Sequence, residues 1–201
     1  MKRIATFISY LFHPLIMPVV GVFIFYTITP LFYEFELKKI VLFSLTILTI
    51  FVPLLIALVL LKFNIIQSFK LSTAKERMPP LLINTLIIGT IIFKLMPRIN
   101  TPELYFFFVG ILGSNFCCLI MALFKIKASI HMTAIIGVTT FLVGLSFHYA
   151  LNVTIALSFL VAISGLIASA RLYLKAHNMA EIIVGIFIGL MPQLLTIQYW
   201  L

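Results

Sequence analysis

The sequence predicts an all-α fold, a polytopic transmembrane helical bundle of six to seven spans. Of the 201 residues, 63% are hydrophobic and 9% are charged, whereas a soluble globular domain carries about 25% charged residues. The mean hydropathy is +1.25, and apolar stretches long enough to cross a bilayer recur along the whole chain. We therefore expect residues 1–201 to form a single integral-membrane domain.

Seven apolar segments supply the candidate spans. Backbone polar groups in lipid must form hydrogen bonds within their own segment, so each segment is expected to be a helix. His13-Pro14 and Pro18 interrupt the first segment, which is either a kinked span or an interfacial turn followed by a shorter span. In chain order, the segments cover residues 6–32, 40–61, 79–96, 104–124, 131–149, 152–170 and 178–198.

The last segment carries a packing signal and an interface signal. Gly185 and Gly189 are four residues apart, and such a pair of small residues predicts a close contact with another helix. Tyr199 and Trp200 follow the segment and fit the aromatic belt at a membrane–water interface.

The acidic residues argue against one class of phosphate chemistry. The chain contains no aspartate and five glutamates, which are Glu34, Glu36, Glu76, Glu103 and Glu181. A two-metal phosphoryl-transfer site needs several carboxylates around its ions. Because these glutamates are few and scattered, we expect no metal and no other cofactor. Phosphate chemistry in this chain would depend on lysine, arginine and histidine.

Three polar joints interrupt the apolar pattern, at residues 67–77, 125–131 and 171–178. Two predicted spans separate the first joint from the second, and two more separate the second from the third. An even number of crossings returns the chain to the same side of the bilayer. All three joints are therefore expected on one membrane face.

The side chains gathered on that face could handle phosphate. His177 and Glu181 are four residues apart, so on a helix they would share one face and touch. A histidine held by a carboxylate is a common arrangement for a nucleophile or general base. Taken singly, Ser129 could be only a helix N-cap, and the His177–Glu181 pair could be only structural. The candidate residues are Lys70, Arg77, Ser129, His131, Arg171, His177 and Glu181.

The spacing of these residues resembles that of the type 2 phosphatidic acid phosphatase superfamily. The motifs of that family are Lys-x6-Arg-Pro, Pro-Ser-Gly-His and Ser-Arg-x5-His-x3-Asp. Here the first motif reads Lys70-x6-Arg77, with Pro79 one position late. The second reads Ala128-Ser129-Ile130-His131, without the proline and the glycine.

The third motif is the best kept of the three. It reads Arg171-x5-His177-x3-Glu181, with its serine displaced to Ser169 and glutamate in place of aspartate. Glutamate is longer by one methylene but supplies the same carboxylate. The bulk of Ile130 in the second motif is the departure with the greatest consequence, because glycine there lets a phosphate approach the backbone closely.

The resemblance implies a role for each residue. His177 would attack phosphorus and form a phosphohistidine, Glu181 would orient its imidazole, and His131 would protonate the leaving oxygen. The residues that would bind the phosphoryl oxygens are Lys70, Arg77, Ser129 and Arg171.

The expected function is that of a metal-independent membrane phosphatase. It would hydrolyse a lipid or polyprenyl phosphate monoester or pyrophosphate, so its partners are the bilayer and a lipid phosphate. One alternative is a catalytically weakened relative that binds or transports a lipid phosphate, because the second motif is altered. Another is a structural membrane protein without a pocket.

The net charge of +9 is expected to serve topology and anionic headgroups rather than nucleic acid, because the charges lie in short joints. We expect an integral multi-pass protein of a bacterial cytoplasmic membrane. The charge count places the motifs on the cytoplasmic side, whereas family members that act on envelope lipids face outward. The sequence leaves the side of the site and the oligomeric state open.

Overall fold

The computed structural model describes residues 1–69, 71, 73–96 and 98–201. These residues form helices and connecting turns without any strand, which confirms the predicted all-α class. A π-helical turn at Ile47–Phe51 lies within the third helix. The helices are α1 Lys2–Leu11, α2 Met17–Ile28, α3 Phe35–Lys62, α4 Ala74–Lys94, α5 Pro102–Leu123, α6 Ile130–His148, α7 Thr154–Tyr173 and α8 Met179–Ile197.

Six helices, α3 to α8, are long and apolar enough to cross a membrane. The first apolar segment is instead divided into α1 and α2 by a turn around Pro14. The 12 residues of α2 extend roughly 18 Å, which is shorter than the hydrocarbon core of a bilayer. The structure is therefore that of an integral multi-pass membrane protein, with six candidate spans among the described residues.

The start of α4 differs from the predicted start at residue 79. Thr73 caps the helix: its hydroxyl accepts from the Glu76 N–H at 3.3 Å, and Glu76 Oε2 accepts from the Thr73 N–H at 3.1 Å. This reciprocal capping box begins the helix at Ala74, ahead of the two prolines. Arg77 therefore lies in a helix and not in a loop.

Buried amides fix α4 against α5. The Asn115 amide donates to Leu81 O at 2.8 Å and to Thr85 Oγ1 at 2.6 Å. In an apolar interior such bonds avoid the cost of unpaired polar groups. Because Leu81 is one helical turn after Arg77, this contact also sets the position of Arg77.

Close packing of α8 on α6 confirms the predicted contact of Gly185 and Gly189. A Cβ atom at Gly185 would lie 2.7 Å from Ser129 O, and one at Gly189 would collide with Thr133 O. Any side chain at these positions would push the helices apart. Glycine thus lets the first turn of α6, with Ser129 before it, lie directly against α8.

A separate polar cluster lies at the other end of α6. The Tyr149 hydroxyl donates to Glu103 Oε1 at 2.5 Å, and His148 Nε2 lies 3.6 Å from the same oxygen. The cluster ties the start of α5 to the end of α6. His148, which belongs to none of the three motifs, thus has a structural contact at the end of the bundle away from Arg77.

Candidate active site

The guanidinium of Arg77 joins the three polar joints. Its Nε donates to Leu71 O at 3.2 Å, and its Nη1 donates to Ala128 O at 2.6 Å. Its Nη2 lies 3.4 Å from His177 Nε2. These contacts confirm that the three joints share one membrane face, as the parity of the spans predicted.

His177 and Glu181 form a hydrogen-bonded pair, with 2.7 Å between Nδ1 and Oε2. The contact was predicted, but the reason given for it was wrong. His177 precedes α8 and does not share a helical face with Glu181. Glu181 occupies the third position of α8, and its side chain reaches back past the start of the helix.

Asn178 holds Glu181 in that position, and the sequence analysis missed it. The Asn178 side chain accepts from the Glu181 N–H at 2.9 Å, and Glu181 Oε2 accepts from the Asn178 N–H at 3.3 Å. The pattern Asn-x-x-Glu before an apolar run was a readable signal for this second capping box. The cap fixes the carboxylate, and the carboxylate fixes the imidazole.

The two partners of His177 determine its tautomer. An ionised carboxylate only accepts hydrogen bonds, and a guanidinium only donates them. Nδ1 therefore carries the proton toward Glu181, and Nε2 presents its lone pair toward Arg77. Burial, and secondarily the charge of Arg77, lower the pKa of His177, against the opposing effect of Glu181. A neutral imidazole with an unprotonated Nε2 is a competent nucleophile once Arg77 Nη2 moves away from the lone pair.

Ser129 is at the N-cap position of α6, as predicted, but its hydroxyl does not cap the helix. The side chain is 0% exposed, and its Oγ has no hydrogen-bond partner among the described residues. The Ser129 N–H donates to Glu181 O at 3.0 Å, which binds this backbone to α8. A buried hydroxyl without a partner, at the N-terminus of a helix, suits an anion.

No protein-family model, curated protein or solved structure matches this chain.

Arg171 also has unused hydrogen-bonding capacity. Its Nε is buried and, within the described part of the chain, has no partner. The charge of Arg171 contributes, after burial, to lowering the pKa of His13, and it also contributes to lowering that of His177. Arg171 is thus near both histidines, on the same face as Arg77.

His131 has a different partner from the one its predicted role requires. Its Nε2 lies 3.1 Å from Ser9 O of α1, and its ring meets His13 edge to face with 5.5 Å between centroids. Because a carbonyl only accepts, Nε2 carries the proton, and that proton points to α1. His13, which belongs to none of the three motifs, therefore lies beside a candidate catalytic residue.

Ile130 packs into an apolar cluster. It contacts a group of buried residues and lines a shallow depression on one side of Arg77. The buried residues of the cluster are Leu81, Cys118, Leu119, Ala128 and Ile188. The isoleucine in the second motif thus has a packing role. Lys70, predicted to bind phosphate, lies outside the described residues.

Proposed function

We propose that this chain is a metal-independent membrane phosphatase that acts on a lipid or polyprenyl phosphate monoester or pyrophosphate, and that it is a divergent member of the type 2 phosphatidic acid phosphatase superfamily. One observation carries the proposal: His177 Nε2 presents a lone pair beside the Arg77 guanidinium, while Nδ1 is held by Glu181. The unpartnered Ser129 hydroxyl and Arg171 Nε support it, because phosphoryl oxygens would satisfy both.

The reaction proceeds in two steps, transfer of the phosphoryl group to His177 and hydrolysis of the phosphohistidine. His177 Nε2 forms a bond to phosphorus as the bond to the leaving oxygen breaks, and His131, in its doubly protonated imidazolium form, gives that oxygen its Nε2 proton and becomes neutral. Glu181 stabilises the positive charge that develops on the imidazole. Water then attacks the phosphohistidine, the N–P bond breaks, and His131 accepts a proton from the water. Arg77 and Arg171 stabilise the charge on the phosphoryl oxygens throughout.

Substrate binding must displace Arg77 Nη2 from the nucleophile. At 3.4 Å, the gap between Nη2 and His177 Nε2 has no room for phosphorus. A modest side-chain shift would move Nη2 from the imidazole to a phosphoryl oxygen. That exchange replaces a long hydrogen bond to a neutral ring with a charge-assisted one to an anion.

The position of the site favours a substrate presented from the bilayer. Arg77, Ser129 and His177 lie at or just before the first turns of the membrane-length helices α4, α6 and α8. Between α3 and α4, a small, largely apolar cavity of about 30 Å³ begins at Pro80, one turn from Arg77. A phosphate at the site could therefore be attached to a hydrocarbon chain that stays in the membrane.

The charge distribution favours a cytoplasmic site in a bacterial cytoplasmic membrane. Of 14 lysine and arginine residues, Lys38, Lys39, Lys94 and Arg98 fall at the joints opposite the site, and the parity of the spans in the sequence assigns the others to the site face. Because α8 leads from the site face to the opposite face, a C-terminal reporter should report a periplasmic location. A cytoplasmic C-terminal reporter would contradict this orientation.

Phosphate release from purified protein tests the activity. The panel should include phosphatidate, phosphatidylglycerophosphate and a polyprenyl pyrophosphate, each in mixed micelles. His177→Ala should abolish release, whereas His148→Gln, a histidine of the opposite face, should retain it. Wild-type protein with a radiolabelled substrate should yield an acid-labile phosphoprotein that His177→Ala lacks. Unchanged turnover in His177→Ala would refute the mechanism.

A second function, lipid-phosphate binding or transport without hydrolysis, is favoured by the contacts of His131. Its Nε2 proton bonds a backbone carbonyl of α1 and not a group at the phosphate site. Saturable binding of a lipid phosphate, with no inorganic phosphate released from any substrate, would select this function over the first.

A further inference from the structure

Helix α1 forms a hydrogen bond with His131, the residue that the proposed reaction needs as its general acid. The proton on His131 Nε2 is directed to Ser9 O of α1, at 3.1 Å. His13, just after α1, packs its ring against that of His131. With α1 in this position, the Nε2 proton of His131 is not available to a leaving oxygen.

The attachment of α1 to the bundle is slight. It packs chiefly on α7, and its buried residues are the small Ala5 and Ser9. The Ser9 hydroxyl bonds Ala5 O of the same helix at 3.0 Å, so it adds no bond to the bundle. Ile8 is partly buried and also packs against the apolar core. Because hydrophobic stabilisation scales with buried apolar area, these few side chains hold α1 less firmly than the longer helices are held.

The turn after α1 provides a pivot. His13 Nδ1 accepts from the Leu15 N–H at 3.3 Å, and His13 O accepts from the Ile16 N–H at 2.9 Å. Beyond the turn, α2 is anchored in the core by Val22 and Phe25. A movement of α1 could therefore occur about the turn at His13 and Pro14 without disturbing α2.

The outer face of α1 fits an anionic membrane surface. Its exposed apolar side chains, at positions 4, 7, 10 and 11, form one stripe along the helix. Lys2 and Arg3 are exposed at its start, and the helix contains no acidic residue. Basic, amphipathic helices of this kind bind at anionic bilayer interfaces. The exposed stripe consists of Ile4, Phe7, Tyr10 and Leu11.

We propose that α1 is a membrane-responsive cover of the candidate site, with the anionic bilayer surface as its partner. Docked on α7, α1 holds His131 through Ser9 O. Bound to anionic headgroups, α1 leaves α7 and frees the Nε2 proton of His131 for the leaving group. The inference rests on the proposed function for its catalytic consequence, but the movement of α1 can be measured without any turnover.

A distance measurement tests the movement directly. Spin labels at Thr6→Cys and Tyr173→Cys, in a Cys117→Ala/Cys118→Ala background, would report the separation of α1 from the end of α7 and leave Lys2 and Arg3 in place. In phosphatidylcholine nanodiscs we expect one short distance, and in phosphatidylglycerol nanodiscs a second, longer one. Identical distance distributions in the two lipids would overturn the proposal.

Matched charge variants identify the cause. Each basic residue near an anionic surface contributes about 1 kcal/mol, a factor of roughly five in affinity. In phosphatidylglycerol, Lys2→Gln/Arg3→Gln should therefore reduce the ratio of the longer-distance to the shorter-distance population roughly 25-fold. Lys39→Gln/Lys94→Gln, on the opposite face, should leave it unchanged. An equal effect of the two double variants would overturn the role of α1.

Phosphate release, measured in both lipids, separates this inference from the proposed function. With substrate at a fixed mole fraction, phosphate release should be faster in phosphatidylglycerol than in phosphatidylcholine, and Lys2→Gln/Arg3→Gln should remove most of the difference. Equal rates in the two lipids, with turnover present, would refute the cover while the phosphatase stands. No release in either lipid, with the distance change present, would refute the phosphatase while the movement stands.

Discussion

The Nη2 atom of Arg77 lies 3.4 Å from the Nε2 atom of His177, so the side chain that would bind phosphate rests on the nucleophile. The same guanidinium holds Leu71 O and Ala128 O. Arg77 therefore has an observed structural role, joining the polar joints, and a separable proposed one, binding the phosphoryl group.

Arg77→Lys keeps the charge but loses the fork that makes three contacts at once. We expect kcat/KM to fall about 100-fold, with a lower thermal midpoint in detergent because the joints lose their common contact. Lys75→Gln, an exposed neighbour in the same turn, is the control and should change neither quantity. Full activity in Arg77→Lys would show that the three contacts are dispensable.

Glu181→Gln isolates the charge on the carboxylate from its capping role. Glutamine serves in a capping box as glutamate does, so α8 should begin at the same residue. Loss of the charge beside Nδ1 should lower kcat on the order of 10³-fold, as expected for an orienting carboxylate. Helicity by circular dichroism is the folding check, and a kcat within threefold of wild type would contradict the role of Glu181.

Asn178→Ala tests the support behind Glu181. Loss of an N-cap costs about 1 kcal/mol, so the thermal midpoint should fall modestly. The carboxylate then loses one of its anchors, and we expect kcat to decrease a few-fold with KM nearly unchanged. A change confined to KM would place Asn178 at the substrate and not behind the nucleophile.

Ser129→Ala should separate binding from stability. Because Ser129 Oγ bonds none of the described residues, its removal should leave the thermal midpoint unchanged or slightly higher. If the hydroxyl binds a phosphoryl oxygen, the affinity for inorganic phosphate or a lipid phosphate should fall roughly 10-fold. A destabilised variant with unaltered affinity would show that Ser129 is structural.

Acid should destabilise the fold through His177. Burial and Arg77 lower the pKa of His177 in the folded protein below the ordinary value of about 6.5. Between these two pKa values the unfolded chain binds a proton at His177 and the folded chain does not. The contribution of His177 to the free energy of unfolding is therefore fully present above pH 6.5 and is lost as the pH falls toward the folded pKa. The thermal midpoint, measured from pH 7.5 to 4.5, should fall less in His177→Gln than in wild type. An equal fall in both would assign the effect to other groups.

Apolar length and parity made much of the fold predictable from the sequence. Six long helices and three joints on one face follow from the span count alone. The first segment was harder, because His13-Pro14 permits either a kinked span or two short helices, and only packing decides between them. Likewise, the capping box at Thr73 begins α4 at Ala74, five residues before the start of the predicted apolar segment. The length of an apolar segment does not indicate such a start.

The candidate site was predictable where local chemistry dominates. His177 and Glu181 meet because Asn178 and Glu181 form a capping box, which the pattern Asn-x-x-Glu at residues 178–181 indicates. The Ser9–His131 bond could not be foreseen, since it joins residues 122 positions apart through the packing of α1 on α7. The contacts of Ser129 also depend on tertiary packing, because its backbone N–H donates to Glu181 O of α8.

The Asn178–Glu181 cap gives the last helix and the reactive histidine a common origin. Glu181 orients His177 only when the first turn of α8 is formed, because that turn brings its side chain back to the imidazole. Assembly of α8 and orientation of the proposed nucleophile are therefore one event. Under the proposed function, a chain whose last helix is still unformed in the bilayer would carry an unoriented histidine and would be inactive toward the surrounding lipids until folding is finished.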